Sequence, residues 1–587
     1  MKECDLIMKG GITSGVVYPF AISELAKQYR LRNIGGTSAG AIGAVFAAAA
    51  EYRRQSDKSM AGFEEIESVA EEIGCILQDL FQPTPSLQPL YAVLMANLEA
   101  KTRMGKLLAM IRAALTACLT EVMIAGAIGA IILFSAFLLG NVALGILGFL
   151  LFILIAACLI LMRFYRLIIK ELPANDFGIC SGKTVSGKGS PGFSDWIANR
   201  IDTIAGLYKK GAPPTGLLTV GALREKGIVI SAMTTDLSSA RPYRLPMQSS
   251  IHFFSRKEFE KLFPDYIVDY LCEKGGKSQY EVTDADVPKD LYKLPVGDDF
   301  PVLLVARMSL SFPGLIRAVP LWRVDYARRT DDGAPMQRCL FSDGGISSNF
   351  PIHFFDAMLP SRPTFGISLT SLEPHHKDER IDLPTKGRQS TSQPIRQVEG
   401  ISGFLSAIFN TAKDWQDSMQ SLLPGYAERI VSIRLDDSTE GGMHLNMDKD
   451  TVRKLTSYGQ QAGQTLLTRF SFDQHRYNRA ISILPALARE LVTVHEIYEK
   501  GQPADGQEMS YPDILKHLEP SHYENSAEWR EQNLDRFAQD LSSLGAKPYT
   551  INLKAAISDA DIAAIPSSDS KIRLVALADR VPRPPRN

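Results

Sequence analysis

Three short segments of the chain hold residues whose types and spacing can do chemistry. Gly36-Thr37-Ser38-Ala39-Gly40 fits the pattern G-x-S-x-G. A serine on a sharp strand-to-helix turn holds its Oγ clear of the backbone. The helix that follows brings N–H groups and a positive dipole end beside a developing oxyanion. Lys9-Gly10-Gly11-Ile12-Thr13-Ser14-Gly15 carries two adjacent glycines, which can turn backbone N–H groups into an open cavity. Asp343-Gly344-Gly345 places a carboxylate on a glycine turn, where it can serve as a base if the fold brings it to the serine. Each segment also has a plainer meaning. G-x-S-x-G and D-G-G both occur as tightly packed turns. The glycine pair can also be a simple turn or a phosphate loop, although it lacks the G-K-[ST] ending and the G-x-G-x-x-G spacing of nucleotide sites.

The surrounding elements must put these residues in place. Asp5–Met8 reads as a strand, Val16–Tyr29 as a helix and Leu31–Ile34 as a second strand. The alanine-rich run Ala39–Glu51 is a strong helix former, and Glu64–Leu80 has an amphipathic helical period. The serine therefore stands between a strand and a helix, as an elbow requires. Further strand-like runs are Ile228–Met233, Val302–Ala306, Arg338–Phe341, Thr364–Ser368 and Ile430–Leu435, with helical stretches between several of them. The alternation predicts a layered α/β fold with a largely parallel central sheet. Asp343 then lies just past a strand end, facing the crevice where open α/β sheets bind ligands. Pro173–Pro191 reads as a loop. Glu373–Gln397 is polar and reads as a solvated linker in preference to a lid. Helices dominate Asp450–Lys500, and the tail ending VPRPPRN is expected to be disordered.

The totals narrow the class. At 587 residues the chain exceeds one compact core. Its 64 Lys+Arg balance 65 Asp+Glu, so no global field favours nucleic acid. Cys4, Cys75, Cys118, Cys158, Cys180, Cys272 and Cys339 are scattered without a C-x-x-C, which argues against a zinc cluster or a disulfide framework and for a reducing setting. MKECDLIMKGG has no apolar core of signal-peptide length. No charged residue occurs from Val122 to Met162. Broken at Gly140-Asn141, this run gives Val122–Leu139 and Val142–Met162, each long enough for one bilayer crossing. Lys101, Arg103, Lys106 and Arg112 precede the run, and Arg163, Arg166 and Lys170 follow it. The positive-inside rule puts both flanks in the cytoplasm. Ala125, Gly129, Gly145 and Gly148 are small enough to let the two helices pack closely. A pair of buried core helices, or a hairpin entering one leaflet, is the competing arrangement.

Taken together, the glycine loop, the serine elbow and the D-G-G turn, in that order along the chain, resemble the patatin-like phospholipase family. Ala232-Met233-Thr234-Thr235-Asp236-Leu237 is similar to the family's strand before its substrate crevice. Arg307-Met308-Ser309-Leu310-Ser311-Phe312-Pro313-Gly314 is similar to its R-x-S-x-x-x-P-G helix start. Asp343 through Asn349-Phe350-Pro351 is similar to the turn after its catalytic aspartate. The likeness spans roughly Asp5–Thr370, with the hairpin as an insertion, and Glu440–Met447 is similar to extensions in some bacterial members. It departs from the family's G-G-G-x-[RK]-G loop: Ile12 replaces the third glycine and Ser14 the basic residue.

The resemblance implies a patatin-like three-layer fold over 1–120 and 171–372, an inserted transmembrane hairpin at 121–170, a mobile loop at 373–397, a mostly helical extension at 398–545 and a partly disordered tail at 546–587. It implies a Ser38–Asp343 dyad that forms an acyl-enzyme, an oxyanion held near Gly10, Gly11 and Ile12, and motif glycines Gly36, Gly40, Gly344 and Gly345. The substrate class is phospholipid or lysophospholipid at the bilayer, and neither metal nor organic cofactor is called for. Ser38 and Asp343 flank the hairpin, so a dyad needs an even number of crossings. Two other readings stand beside it. One is a membrane scaffold that has lost activity, which the altered loop allows. The other is a Ser-His-Asp hydrolase using His353, His375 or His376, since all nine histidines follow residue 251.

Overall fold

The computed structural model of the protein describes residues 1–552, apart from 12–13, 100–101, 140–141, 209–215, 279, 281–285, 331–333, 373–378, 385–394, 396, 402, 406, 409, 412–424, 438, 442–444, 446, 501–509 and 518–529. The expected tail therefore falls largely outside the described residues. So does most of the polar loop Glu373–Gln397.

The strands are β1 (Lys2–Met8), β2 (Tyr29–Gly36), β3 (Gly178–Cys180), β4 (Val229–Asp236), β5 (Arg241–Leu245), β6 (Phe253–Ser255), β7 (Leu291–Lys293), β8 (Gly314–Ile316), β9 (Val319–Val324), β10 (Met336–Asp343), β11 (Thr364–Ser371), β12 (Ile381–Asp382) and β13 (Ile430–Leu435). Eleven of them form one sheet in the order β12-β13-β11-β1-β2-β4-β10-β9-β6-β7, with β5 also on β4. β3 and β8 make a small second sheet.

The middle of the large sheet, β13-β11-β1-β2-β4, is parallel. Its strands are buried on both faces, which is why Leu6-Ile7-Met8 and Phe365-Gly366-Ile367 read as continuous runs without alternation. The rest is antiparallel. The sheet is thus mixed, not largely parallel as the sequence suggested. The antiparallel half is made of meanders such as β4–β5 and β9–β10, whose short connections leave no room for a crossover helix. Their strands β5, β6, β7 and β9 gave no separate signal in the sequence.

Val302–Ala306, expected as a strand, lies in the helix Val302–Ser309. Every residue of that helix is buried, so its apolar run carries no period that separates helix from strand. The helix Ala39–Asp57 lies against the sheet with its first thirteen residues buried. Its alanines and glycines permit this close approach: a Cβ on Gly40 would fall 2.3 Å from the Met8 carbonyl oxygen.

The C-terminal part is not a separate appendage. β13 extends the parallel sheet beside β11. The helix Lys449–Arg469 lies on the helix Tyr18–Ala26, with Gly459 so near Val17 that a Cβ would come within 2.0 Å of its carbonyl oxygen.

The apolar run forms the helices Leu119–Leu138 and Val142–Arg166. Contacts between Glu121 and Arg163 (2.5 Å), Gly129 and Phe152, and Ile132 and Gly148 show that they run antiparallel. Gly129 and Gly148 stand at that contact: a Cβ on either would be 2.8 Å from the facing side chain. The helical stretch Val142–Ala174 is long and apolar enough to cross a membrane. Met104–Ala117 and Leu119–Ser135 form a pair bent by 80°. Large apolar side chains on the hairpin, among them Ile131, Phe134, Phe137 and Leu150, are exposed. The break at Gly140-Asn141 lies outside the described residues.

Candidate active site

The sheet register brings the three glycine motifs to one place. β1 and β2 end level with each other, Met8 beside Gly36. The glycine loop and the elbow therefore leave the sheet side by side at the carboxyl ends of parallel strands. Gly36 also pairs with Ala232 of β4. On its opposite edge, β4 pairs with β5 from Ala232 to Asp236. β10 pairs with Thr234–Asp236 of β4, so it must use the same edge as β2, beyond the point where β2 stops. Had β2 run straight on, residue 38 would have stood opposite Thr234. The chain instead turns away into the helix Ala39–Asp57, and Asp343 takes that position opposite Thr234. The turn after β2 and the Asp343-Gly344 turn thereby adjoin, with the Thr37 methyl 2.8 Å from where a Cβ on Gly344 would be. Ser38 and Asp343 are both almost fully buried.

Ser38 has φ 55° and ψ −126°, a conformation that L-residues with a side chain seldom adopt. Its hydroxyl does not cap the following helix. The Ser38 N–H is held by Ser309 Oγ at 3.1 Å. The flanking glycines are sterically required. A Cβ on Gly36 would lie 2.3 Å from the Gly40 carbonyl oxygen, and one on Gly40 would meet the Met8 and Lys9 carbonyls at 2.3 and 2.7 Å. These are backbone atoms and cannot step aside.

Asp343 is fixed from all sides. Its Oδ1 accepts the Gly345 N–H at 2.7 Å. Its own N–H donates to the Ser311 carbonyl at 3.1 Å, and its carbonyl accepts from Thr235 Oγ1 at 3.0 Å. Gly344 presses on the Met233 carbonyl and the Thr37 methyl, where a Cβ would come within 2.1 and 2.8 Å. Asn349 joins the motifs. Its carbonyl accepts the Gly10 N–H at 2.7 Å. Its Oδ1 faces both Gly10 and Gly345, at 2.1 and 3.0 Å from where Cβ atoms would be.

The glycine loop departs from expectation. The Gly10 N–H is committed to Asn349, so in this conformation it is not an open oxyanion donor. Gly11 turns its carbonyl, not a donor, toward the serine: that oxygen accepts from Ser38 Oγ at 3.2 Å and from the Ala39 N–H at 3.3 Å. Ile12 lies outside the described residues, as does the side chain of Ser14. Lys9 reaches the other way, with its Nζ on the Leu369 carbonyl at 3.1 Å.

No family model matches the chain. The "RpoH suppressor" of Rhizobium meliloti (strain 1021) is 32% identical over 564 residues, covering 84% of this chain and 87% of that protein. The chain belongs to the RpoH suppressor family. The "Uncharacterized protein YqhO" of Bacillus subtilis (strain 168) is 25% identical over 187 residues, covering 32% of this chain and 53% of that protein. Among solved structures, VipD from Legionella pneumophila aligns over 95% of this chain and 88% of its own at 14% identity, with a TM-score of 0.29, too slight a likeness to bear on the fold.

Three supporting groups in this family member were not assigned roles by their spacing alone. Ser309 anchors the elbow amide. Asn349 bridges the motifs. Arg307 lies at the end of the helix Val302–Ser309, not at a helix start. Its fully buried guanidinium donates to Ser194 Oγ, Ser311 Oγ and the carbonyls of Ser181 and Arg317, at 2.7 to 3.2 Å. Burial pulls its pKa down to about 9, the nearby Arg317 adding to the effect. It thus braces the Ser309–Arg317 segment under the serine. The sequence places all three residues near the candidate motifs, but only the folded register shows what they hold. Of the histidines considered, His353 lies in the turn Ile352–Phe355 with its ring edge-on to Phe354. His375 and His376 lie outside the described residues. His252 is a core residue packed on Tyr243 and Phe341, and burial lowers its pKa to about 3.

Proposed function

We propose that the protein is a membrane-anchored lipid acyl hydrolase of the patatin-like type, working through a Ser38–Asp343 dyad. The observation that supports this most is the backbone of Ser38, at φ 55° and ψ −126° between two sterically obligatory glycines, next to Thr37, which packs on the Asp343-Gly344 turn. A soluble packing turn has no need to hold a serine in that conformation. In this reading Asp343 takes the Ser38 proton as Oγ attacks the ester carbonyl. The acyl-enzyme forms and the alcohol leaves with a proton. Water activated by Asp343 then releases the fatty acid. The oxyanion is held by the Ala39 N–H once the Gly11 carbonyl has turned away.

The two antiparallel apolar helices are read as two spans. They hold the site at the bilayer surface and raise the effective concentration of lipid substrate. Basic residues at both ends support a cytoplasmic location for the catalytic body. Reporters fused at residues 1 and 587 should label the same face, and opposite faces would remove either the two-span reading or the dyad. The function itself is tested with a fluorophosphonate probe on the full-length protein in lipid nanodiscs. Labelling that vanishes in Ser38→Ala supports the hydrolase. An unlabelled wild type favours the second reading, a scaffold without activity. The Gly11 carbonyl over Ser38 Oγ and the Ala39 N–H is the observation that speaks for that alternative.

A further inference from the structure

The helix Arg103–Ala117 is separate from the two apolar helices that follow it. Thr102 caps its start, with Oγ1 accepting the Gly105 N–H at 3.0 Å. Cys118, at φ −112° and ψ 39°, ends it. The chain turns there by 80° into the helix Leu119–Leu138. The shorter helix has two unlike faces. Gly105, Ala109, Ala113 and Ala117, spaced four apart, are half-buried. The helix packs on the helix Gln88–Glu99, whose Met95 belongs to the main core. Met104, Leu107, Leu108, Ile111 and Leu115 recur at the spacing of one helix face, yet are 42 to 66% exposed. At 3.6 residues per turn they fill an arc of about 100°, roughly opposite the small residues. Lys106 and Arg112, both exposed, stand outside that arc. No acidic residue occurs between Glu99 and Glu121.

Exposed apolar surface continues from this arc across the base of the hairpin. Glu121 and Arg163 pair there at 2.5 Å. Toward the globular body from that pair lie Leu119, Tyr165, Ile168 and Ile169, all exposed, with the exposed cations Arg166 and Lys170 among them. The twenty residues of Leu119–Leu138 cover ~30 Å, a whole hydrocarbon core, and leave the shorter helix none to cross. If that span tilts by about 20°, a helix bent from it by 80° lies within about 30° of the membrane plane. We infer that Arg103–Ala117 lies flat in the interface of a bilayer that carries acidic lipids. Its apolar arc sits among the upper acyl chains, and Lys106 and Arg112 sit at the head groups. The body rides on the opposite, small-residue face. A second copy meeting this arc about a two-fold axis would instead bring the same cations together. The inference rests on the two-span reading of the hairpin and is independent of the hydrolase reading.

The test uses full-length protein in nanodiscs, with Met104→Trp, Leu108→Trp or Leu115→Trp made one per variant. The fluorescence each adds to the wild type is read in phosphatidylcholine brominated either near the head group or near the chain end. All three should be quenched, more by the shallow bromines than by the deep ones, and to a similar degree along the helix. Replacing part of the phosphatidylcholine with phosphatidylglycerol should strengthen the shallow quenching. Lys106→Gln/Arg112→Gln should lose that gain, each neutralised charge lowering the docked-to-free ratio about fivefold. Leu150→Trp, in the middle of the hairpin, reports the span and should be quenched by the deep bromines. An unquenched arc beside a quenched Leu150→Trp overturns the inference and leaves the spans standing; if such discs hold two copies, a second chain covers the arc. Quenching that deepens steadily from Met104→Trp to Leu115→Trp overturns it in favour of one broken span. Arc quenching indifferent to phosphatidylglycerol overturns the assignment to acidic lipid. If neither the arc nor Leu150→Trp is quenched, the two-span reading fails and the inference falls with it.

Discussion

The conformation of Ser38 makes a prediction in which loss of the hydroxyl and gain of stability go together. A non-glycine residue at positive φ in a sparsely populated region stores ~1–3 kcal/mol. Ser38 has φ 55° and ψ −126° and no capping bond that would offset this. Ser38→Ala removes the Oγ contact with the Gly11 carbonyl but keeps the Cβ, so it keeps the strain. Ser38→Gly loses the same contact and relieves the strain, while glycine's greater freedom in the unfolded chain takes back ~0.5–1 kcal/mol. The Ser38 N–H to Ser309 Oγ bond survives in both. Ser38→Gly should therefore be more stable than Ser38→Ala by ~0.5–2 kcal/mol, although both lose all probe labelling. The assay is thermal unfolding of the two purified variants in the same nanodiscs, where the glycine variant should melt higher by about 0.5–2 °C. If Ser38→Gly melts at or below Ser38→Ala, no strain is stored at this turn, and the strongest support for a nucleophile elbow is lost.

Other expectations follow from neighbouring features. Gly40→Ala puts a methyl group 2.3 Å from the Met8 carbonyl oxygen; it should lower stability by ~3 kcal/mol or more and abolish labelling together, as read by melting and probe gels. Arg307→Lys cannot reproduce four donated hydrogen bonds from one planar group; it should cost ~3–5 kcal/mol and slow probe labelling, because Ser311 and the Arg317 carbonyl lose their brace. Burial lifts the Asp202 carboxyl from 3.8 to about 6, against the hydrogen bonds from Tyr266 and the Leu218 N–H that lower it. The folded pKa exceeds the unfolded one, so the native state holds the proton more tightly and stability falls as pH rises from about 4 to about 6. Asp202→Asn should remove up to ~3 kcal/mol of that pH dependence, and an unchanged melting profile between pH 4 and 7 would contradict it.

The sequence and the fold agree best where local chemistry and long-range structure ask for the same residues. G-T-S-A-G predicts a turn that only glycines at both flanks can make, and the clashes around Gly36 and Gly40 are the physical content of that pattern. β1, β2 and the helix from Ala39 appear where their composition puts them, within a few residues. Agreement fails where a segment is buried on all sides. Val302–Ser309 is helical although its apolar run has no period to say so. The meander strands β5, β6 and β7 are short, so each carries too few residues for an alternation to be read. The glycine loop shows a different limit. Its spacing announces backbone groups turned into a cavity, but whether an N–H or a C=O faces the serine is decided by one peptide orientation, to which side-chain identity is nearly blind. Asn349 has its role only because β10 ends beside β2, a relation between distant parts of the chain.

That relation between β2 and β10 also sets the order in which the candidate site can assemble. The register opposite Thr234 is left empty by the chain's turn at residue 37 and is filled only by Asp343. β1, likewise, is flanked on its outer edge by β11. A ribosome that has finished the elbow, the hairpin and even β4 has therefore made a serine whose carboxylate does not yet exist, and a first strand with an unpaired edge. The apolar helices emerge in the interval and can reach lipid before the sheet closes. Assembly of the site is thus deferred until past the midpoint of synthesis, and a chain truncated before β10 keeps the elbow without the partner its register awaits.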